Sequence, residues 1–137
     1  MAAVVGAVLA VSVGLFATFS GFDRDRAFYP TVAIVVASYY ALFAVMGGTT
    51  SALVLESLVG AVFLIVATYG YRSSLWIVAL ALAAHGVLDL VHDRIISNPG
   101  VPVWWPAFCG TFDVTAALYL AWLLGSGRVG AAIRSRA

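Results

Sequence analysis

Five stretches of about 20 residues carry almost no charge, and glycine, proline or a charged residue bounds each of them: 2–20, 27–46, 52–71, 75–92 and 107–124. A helix rises about 1.5 Å per residue, so a run of that length covers the roughly 30 Å of hydrocarbon in a bilayer. A soluble chain of 137 residues cannot hide a composition that is 64% hydrophobic and 9% charged, with a mean hydropathy of +1.06. Lipid is the expected solvent. A spanning barrel is excluded, because its strands alternate polar and apolar residues and these stretches do not. The expected fold is all-α, one transmembrane domain over 1–137 built as a bundle of five helices. The expected location is the cell membrane, as a multi-pass protein of the bacterial inner (plasma) membrane. The first stretch lacks a basic leader, and its apolar run exceeds the core of a typical signal peptide, so it is expected to remain as a helix.

Charge sets the expected orientation. Arg24, Arg26, Arg72, Arg128, Arg134 and Arg136 fall on one side of this bundle, and only Arg94 falls on the other. The positive-inside rule then puts the amino terminus outside and the carboxyl terminus in the cytoplasm. Trp104 and Trp105 are expected to anchor the outer interface. The net charge of +1, with no lysine, leaves no basic patch for nucleic acid. With a single cysteine, Cys109, no intrachain disulfide can form. The loops are short, which predicts antiparallel neighbours packed side by side; the exception is 93–106, which carries Pro99, Pro102 and Pro106.

Within so apolar a frame, ionisable residues are informative, since each costs about 2.5–3.5 kcal/mol at a helix centre. They are Glu56, His85, Asp89, His92 and Asp113. At 1.5 Å per residue Glu56 lies about 7 Å and Asp113 about 9 Å inside the same face, and the fourth helix brings His85, Asp89 and His92 to that layer. His85, Asp89 and His92 stand at i, i+4 and i+7, which is one stripe of a helix. Asp89 and His92 repeat the carboxylate-x-x-His spacing that metal-binding bundles project inward. His85 and His92 are about 10.5 Å apart along the axis, so a single ion meets both only with the two rings leaning toward each other, and two ions, or one His outside the ligand shell, also fit. Cys109 shares the face of Asp113 at i, i+4 and is read as a small buried hydrophobe. Tyr39 and Tyr40 reach a similar depth; a packed aromatic and an inward-pointing hydrogen-bond donor, assigned to Tyr39, are both open readings of this pair.

Glu56, Tyr71-Arg72-Ser73, His85-Gly86, Asp89 with His92, Asn98-Pro99, Pro102, Pro106, Cys109-Gly110 and Asp113 together resemble a family of small bacterial integral-membrane proteins known only as a domain of unknown function. The likeness covers about 47–124, in order and spacing. Where that family's pattern has a second His after His92, this chain has Asp93. The resemblance brings no activity with it. A looser analogy, at the level of the site alone, is to membrane hydrolases such as the alkaline ceramidases, which set His and Asp from several helices around zinc.

These residues lead to the expectation of a membrane-embedded, metal-dependent hydrolase acting on a lipidic substrate from the outer leaflet. His85, Asp89, His92 and Asp113 are the expected ligands of a divalent ion, zinc by its taste for imidazole and carboxylate. Glu56 is the expected general base, with Tyr39 and Asp113 as further catalytic groups. Two alternatives use the same residues: a metal-free acid–base isomerase or cyclase of an isoprenoid or sterol-like substrate, and a protein that binds or transports protons or metal ions. The expected partners are membrane lipid and a lipidic small molecule, without nucleic acid; homo-oligomerisation is left open.

Overall fold

The computed structural model describes residues 1–130 and is helical throughout, with five helices long and apolar enough to span a membrane. Arg134 and Arg136 lie outside the described residues. The helices are α1 (Ala2–Ser20), α2 (Phe28–Gly47), α3 (Thr50–Arg72), α4 (Leu75–Ile95) and α5 (Trp105–Gly125), with a single 3-10 turn, Phe22–Arg24, between α1 and α2. Local chemistry sets their ends. Gly21 closes α1 in the left-handed conformation (φ 81°), which glycine adopts without a Cβ penalty. The Thr49 hydroxyl accepts the Ala52 N–H at 3.1 Å and opens α3. Pro106 stands in the first turn of α5, where its missing N–H costs nothing. The long loop expected over 93–106 is therefore shorter, because α4 continues to Ile95 and α5 begins at Trp105.

Four arginines, Arg24, Arg26, Arg72 and Arg128, mark one end of the bundle, and the turns at 48–49 and 96–104 mark the other, here the loop end. Helices α4 and α5 form the centre. Helix α4 packs on α5, α3 and α2, while α1 packs on α5 and α2 on α3. The α4–α5 crossing is close because glycine faces glycine: a Cβ on Gly86 would stand 2.8 Å from the Gly110 carbonyl oxygen. Small residues allow such backbone approach in lipid, where packing takes over from the hydrophobic effect.

One expected neighbour relation fails. Helices α1 and α2 are joined by a short connection but do not pack together. The buried residues of α1 are all small, Gly6, Ala10, Gly14 and Ala17, and form one stripe that fits α5. A Cβ on Gly6 would overlap the Phe108 carbonyl, and one on Gly14 would stand 2.8 Å from the Tyr119 ring. Thr111 Oγ1 donates to the Ala3 carbonyl at 2.8 Å at the loop end. At the arginine end Thr18 Oγ1 donates to buried Asp23 at 2.6 Å and lies 3.0 Å from the Tyr119 hydroxyl. Helix α1 is thus committed to α5 at both ends, and its large side chains, Val4, Val8 and Phe16 among them, are exposed to the surroundings. A short loop limits how far apart two helices can lie; it does not supply the packing face that would join them.

Candidate functional site

The Gly86–Gly110 crossing places one turn of α4 against one turn of α5, and the ionisable side chains lie beside it. His85 and Asp89 come from α4, Cys109 and Asp113 from α5. His85 Nδ1–H donates to Asp113 Oδ2 at 2.6 Å, and Asp89 Oδ2 lies 3.7 Å from the same ring nitrogen. The Cys109 thiol donates weakly to Asp113 Oδ2 at 3.8 Å. One donor atom from each of these four residues falls within 4.8 Å of the others, and all four residues are buried. Asp113 is 0% exposed, and His85 and Asp89 are each 2% exposed. Two carboxylate oxygens, Asp89 Oδ2 and Asp113 Oδ1, are buried without a hydrogen-bond partner. Groups of that kind are costly to bury, so two of them on neighbouring helices call for a partner beyond the helices themselves.

A second polar group sits one to two turns nearer the loop end. His92 Nε2–H donates to Glu56 Oε1 at 2.8 Å, and Asn98 Nδ2 donates to the same oxygen at 2.9 Å. Asn98 also donates to the Tyr40 carbonyl at 3.1 Å, which pins the 96–104 loop across α2 and α3. Gly100 fits this arrangement because a Cβ there would overlap the Phe43 carbonyl. Exposed Asp93 approaches His92 Nδ1 at 3.5 Å from the surface side.

Tyr40 joins the two groups. Its hydroxyl donates to Asp89 Oδ1 at 2.6 Å, and its ring stacks on the His92 imidazole with centroids 3.9 Å apart and an 18° interplanar angle. Phe63 packs edge-to-face with the His85 ring, centroids 4.9 Å apart, and gives that imidazole an apolar neighbour.

The structure therefore distributes the sequence candidates as follows. His85, Asp89 and Asp113 come together. His92 faces Glu56 and lies outside the four-donor cluster, so the α4 stripe serves two sites rather than one. Tyr39, the phenol expected to point inward, packs against Trp105 at 4.9 Å and Phe43 at 6.3 Å, and its neighbour Tyr40 makes the bond to Asp89. Successive residues of a helix point about 100° apart, so only one of a tyrosine pair can face the core. Cys109, read as a hydrophobe, belongs to the cluster. Asn98 was visible only as a member of a motif; a side-chain amide three residues past a helix end gave no independent signal of its role. Of the expected interfacial tryptophans, Trp104 is exposed, whereas Trp105 is turned inward against Tyr39, Phe43 and Phe108.

An apolar cleft of about 570 Å³ reaches the cluster from the side, between α1 and α2 and backed by α5. Leu9, Val32, Val35, Phe108 and Phe112 are among its walls, and Cys109 is the member of the four-donor cluster that lines it. No family model matches the chain, and neither a curated protein nor a solved structure matches it.

Proposed function

We propose that the chain is a membrane-embedded, metal-dependent hydrolase of a lipidic substrate, with a divalent cation held by His85, Asp89, Cys109 and Asp113. The observation that carries this reading is a compact, fully buried set of N, O and S donors in which two carboxylates each keep one oxygen without a hydrogen-bond partner. Two carboxylates against a single imidazole leave a negative excess in a medium of low dielectric, and a divalent cation offsets it. The thiol narrows the choice of ion, because sulfur with imidazole and carboxylate suits zinc and disfavours magnesium or calcium. His85 would have to offer a deprotonated ring nitrogen to such an ion in place of its bond to Asp113, so loading would release protons. Bound by these residues, a zinc ion would supply Lewis acidity toward a carbonyl or water.

The residues beside the cation set have separate tasks. Tyr40 orients Asp89 through its hydroxyl. Glu56, held by His92 and Asn98, is the proton-handling group, and His92 holds it rather than the ion. The loop end is the outer face by the arginine asymmetry, so substrate arrives from the outer leaflet of a bacterial plasma membrane.

Elemental analysis of the purified protein tests the reading. Wild-type protein should carry about one equivalent of zinc, and Asp89→Asn should carry none, since the lost charge no longer offsets desolvation of the ion. Glu56→Gln should keep its zinc and lose hydrolysis, because an amide neither accepts nor delivers the proton. Folded wild-type protein that is free of transition metal and indifferent to chelator would overturn the metal site. The closed hydrogen bonds His85–Asp113 and Tyr40–Asp89, both 2.6 Å, would then favour a metal-free acid–base isomerase or cyclase.

A further inference from the structure

Glu56 is sealed from water, yet a side chain that handles protons has to exchange them with solution. It is 2% exposed, and among the described residues two side chains bond it: Asn98, whose amide neither accepts nor delivers a proton, and His92. His92 is 1% exposed, so the imidazole is sealed as well. The next group does reach solution. Asp93 follows His92 in the last turn of α4; its side chain is 81% exposed, and its Oδ1 lies 3.5 Å from His92 Nδ1. The two ring nitrogens thus face two different carboxylates, Nε2 the buried Glu56 from α3 and Nδ1 the exposed Asp93 of its own helix. Tyr40 of α2 stacks on the ring face, centroids 3.9 Å apart, and holds the imidazole in that setting. As a brace for His92, Asp93 would contribute little, since exposed charge pairs are weak. As a proton donor and acceptor, exposure is what it needs.

We propose that Asp93, His92 and Glu56 form a proton relay, through which the protonation of buried Glu56 is set by the solution at the loop end. An imidazole accepts a proton at one nitrogen and releases one from the other. On the inward path a proton from solution rests on the Asp93 carboxyl group and passes to His92 Nδ1. As that N–H bond forms, the Nε2–H bond breaks and its proton goes to Glu56 Oε1 across the 2.8 Å hydrogen bond. One proton has entered, one has reached Glu56, and the ring is left as the Nδ1–H tautomer; no electrons are transferred. The outward path reverses these steps, so loading and unloading Glu56 require no turn of the ring, which the Tyr40 stack opposes. The use of the relay rests on Glu56 being the proton-handling group of the hydrolase, whereas the path itself rests on the contacts alone.

Proton arrival can be followed without any measurement of activity. The chain has one glutamate and two histidines, so isotope-labelled glutamate and histidine mark the relay with little overlap, and His92→Gln identifies the bands of the ring. The full chain in nanodiscs is observed by time-resolved infrared spectroscopy after laser release of caged protons takes the solution from about pH 8 to about pH 5, the range in which an imidazole ordinarily changes charge. In wild type the His92–Glu56 pair should gain one proton. Asp93→Asn should reach the same end state about 100-fold more slowly, the lower end of what a positioned proton-transfer group contributes. Asp93→Ala should be as slow, and its rate should recover in proportion to added formate, which returns a carboxyl group to the same place. The exposure of Asp93 keeps both variants folded. A wild-type pair that gains no proton, an Asp93→Asn protein that gains it at the wild-type rate, or a slow Asp93→Ala protein indifferent to formate would each overturn the relay. Zinc analysis of the same samples decides the hydrolase reading separately: metal-free protein with intact proton arrival sinks that reading alone, and zinc-loaded protein whose proton arrival ignores Asp93 sinks the relay alone.

Discussion

Replacing Gly86 by alanine adds one methyl group at the point where α4 and α5 cross, and its consequence for the proposed cation site follows from distances. The new Cβ would stand 2.8 Å from the Gly110 carbonyl oxygen and 2.9 Å from Val114 Cγ2. The carbonyl is backbone and cannot rotate away. Restoring an ordinary contact of 3.4 Å therefore separates the helices by ~0.6 Å, about three times the roughly 0.2 Å tolerance of ligand distances in metal sites. His85 and Asp89 travel with α4, Cys109 and Asp113 with α5, so the whole displacement falls between the two halves of the donor set. Stability should change much less. Overpacking costs about 1–3 kcal/mol, and exchanging a helix-interior glycine for alanine returns about 1 kcal/mol. The expected result is a folded protein with zinc affinity lowered about 10–100-fold, the range seen when support around a metal site is disturbed. Competition with a chromophoric chelator in nanodiscs measures the affinity, and thermal unfolding of the same sample measures the fold. Gly60→Ala is the control, since its Cβ would meet only the Ala37 carbonyl oxygen at 3.4 Å. Folded Gly86→Ala protein with wild-type zinc affinity would refute the claim that this glycine contact sets the site.

Further outcomes are accessible by simpler means. Tyr40→Phe keeps the ring stacked on His92 but strips a hydrogen bond from buried Asp89, so chemical unfolding should show a loss of about 1.5–3 kcal/mol; unchanged stability would mean that the bond contributes nothing. Gly6→Leu should lever α1 from α5, because even a Cβ there overlaps the Phe108 carbonyl, and limited proteolysis should then cut the 21–27 connection faster than in wild type. A fluorescent reporter fused at the carboxyl terminus should glow in the cytoplasm, while a periplasmic reporter at the same position stays inactive; the reverse pattern would discard the orientation drawn from the arginines.

What could be read from the sequence, and what could not, separates by coordinate. Helix existence and burial of the charges were legible, because rise per residue is fixed and lipid tolerates few charges: the five apolar helices hold to within a few residues, and Glu56, His85, Asp89, His92 and Asp113 are all buried, although in two groups rather than one. Rotation about each helix axis was only partly legible. The stripe His85, Asp89, His92 fixes a face of α4 but not which neighbour each residue meets, and the 10.5 Å between its ends is enough for His85 to meet α5 and His92 to meet α3. Which tyrosine turns inward, and whether Cys109 is a ligand or a filler, depends on the same unknown angle. Lateral arrangement was the least legible. The small-residue stripe Gly6, Ala10, Gly14, Ala17 shows that α1 has a close partner, yet nothing local says that the partner is α5 rather than the adjoining α2. That choice holds α1 away from α2 and leaves the cleft along whose wall Cys109 lies, so the cleft is set by contacts between residues more than 100 positions apart in the chain. The ionisable groups of such a chain can be located from where its charges sit along each helix, whereas the cleft beside them follows from which helices decline to touch.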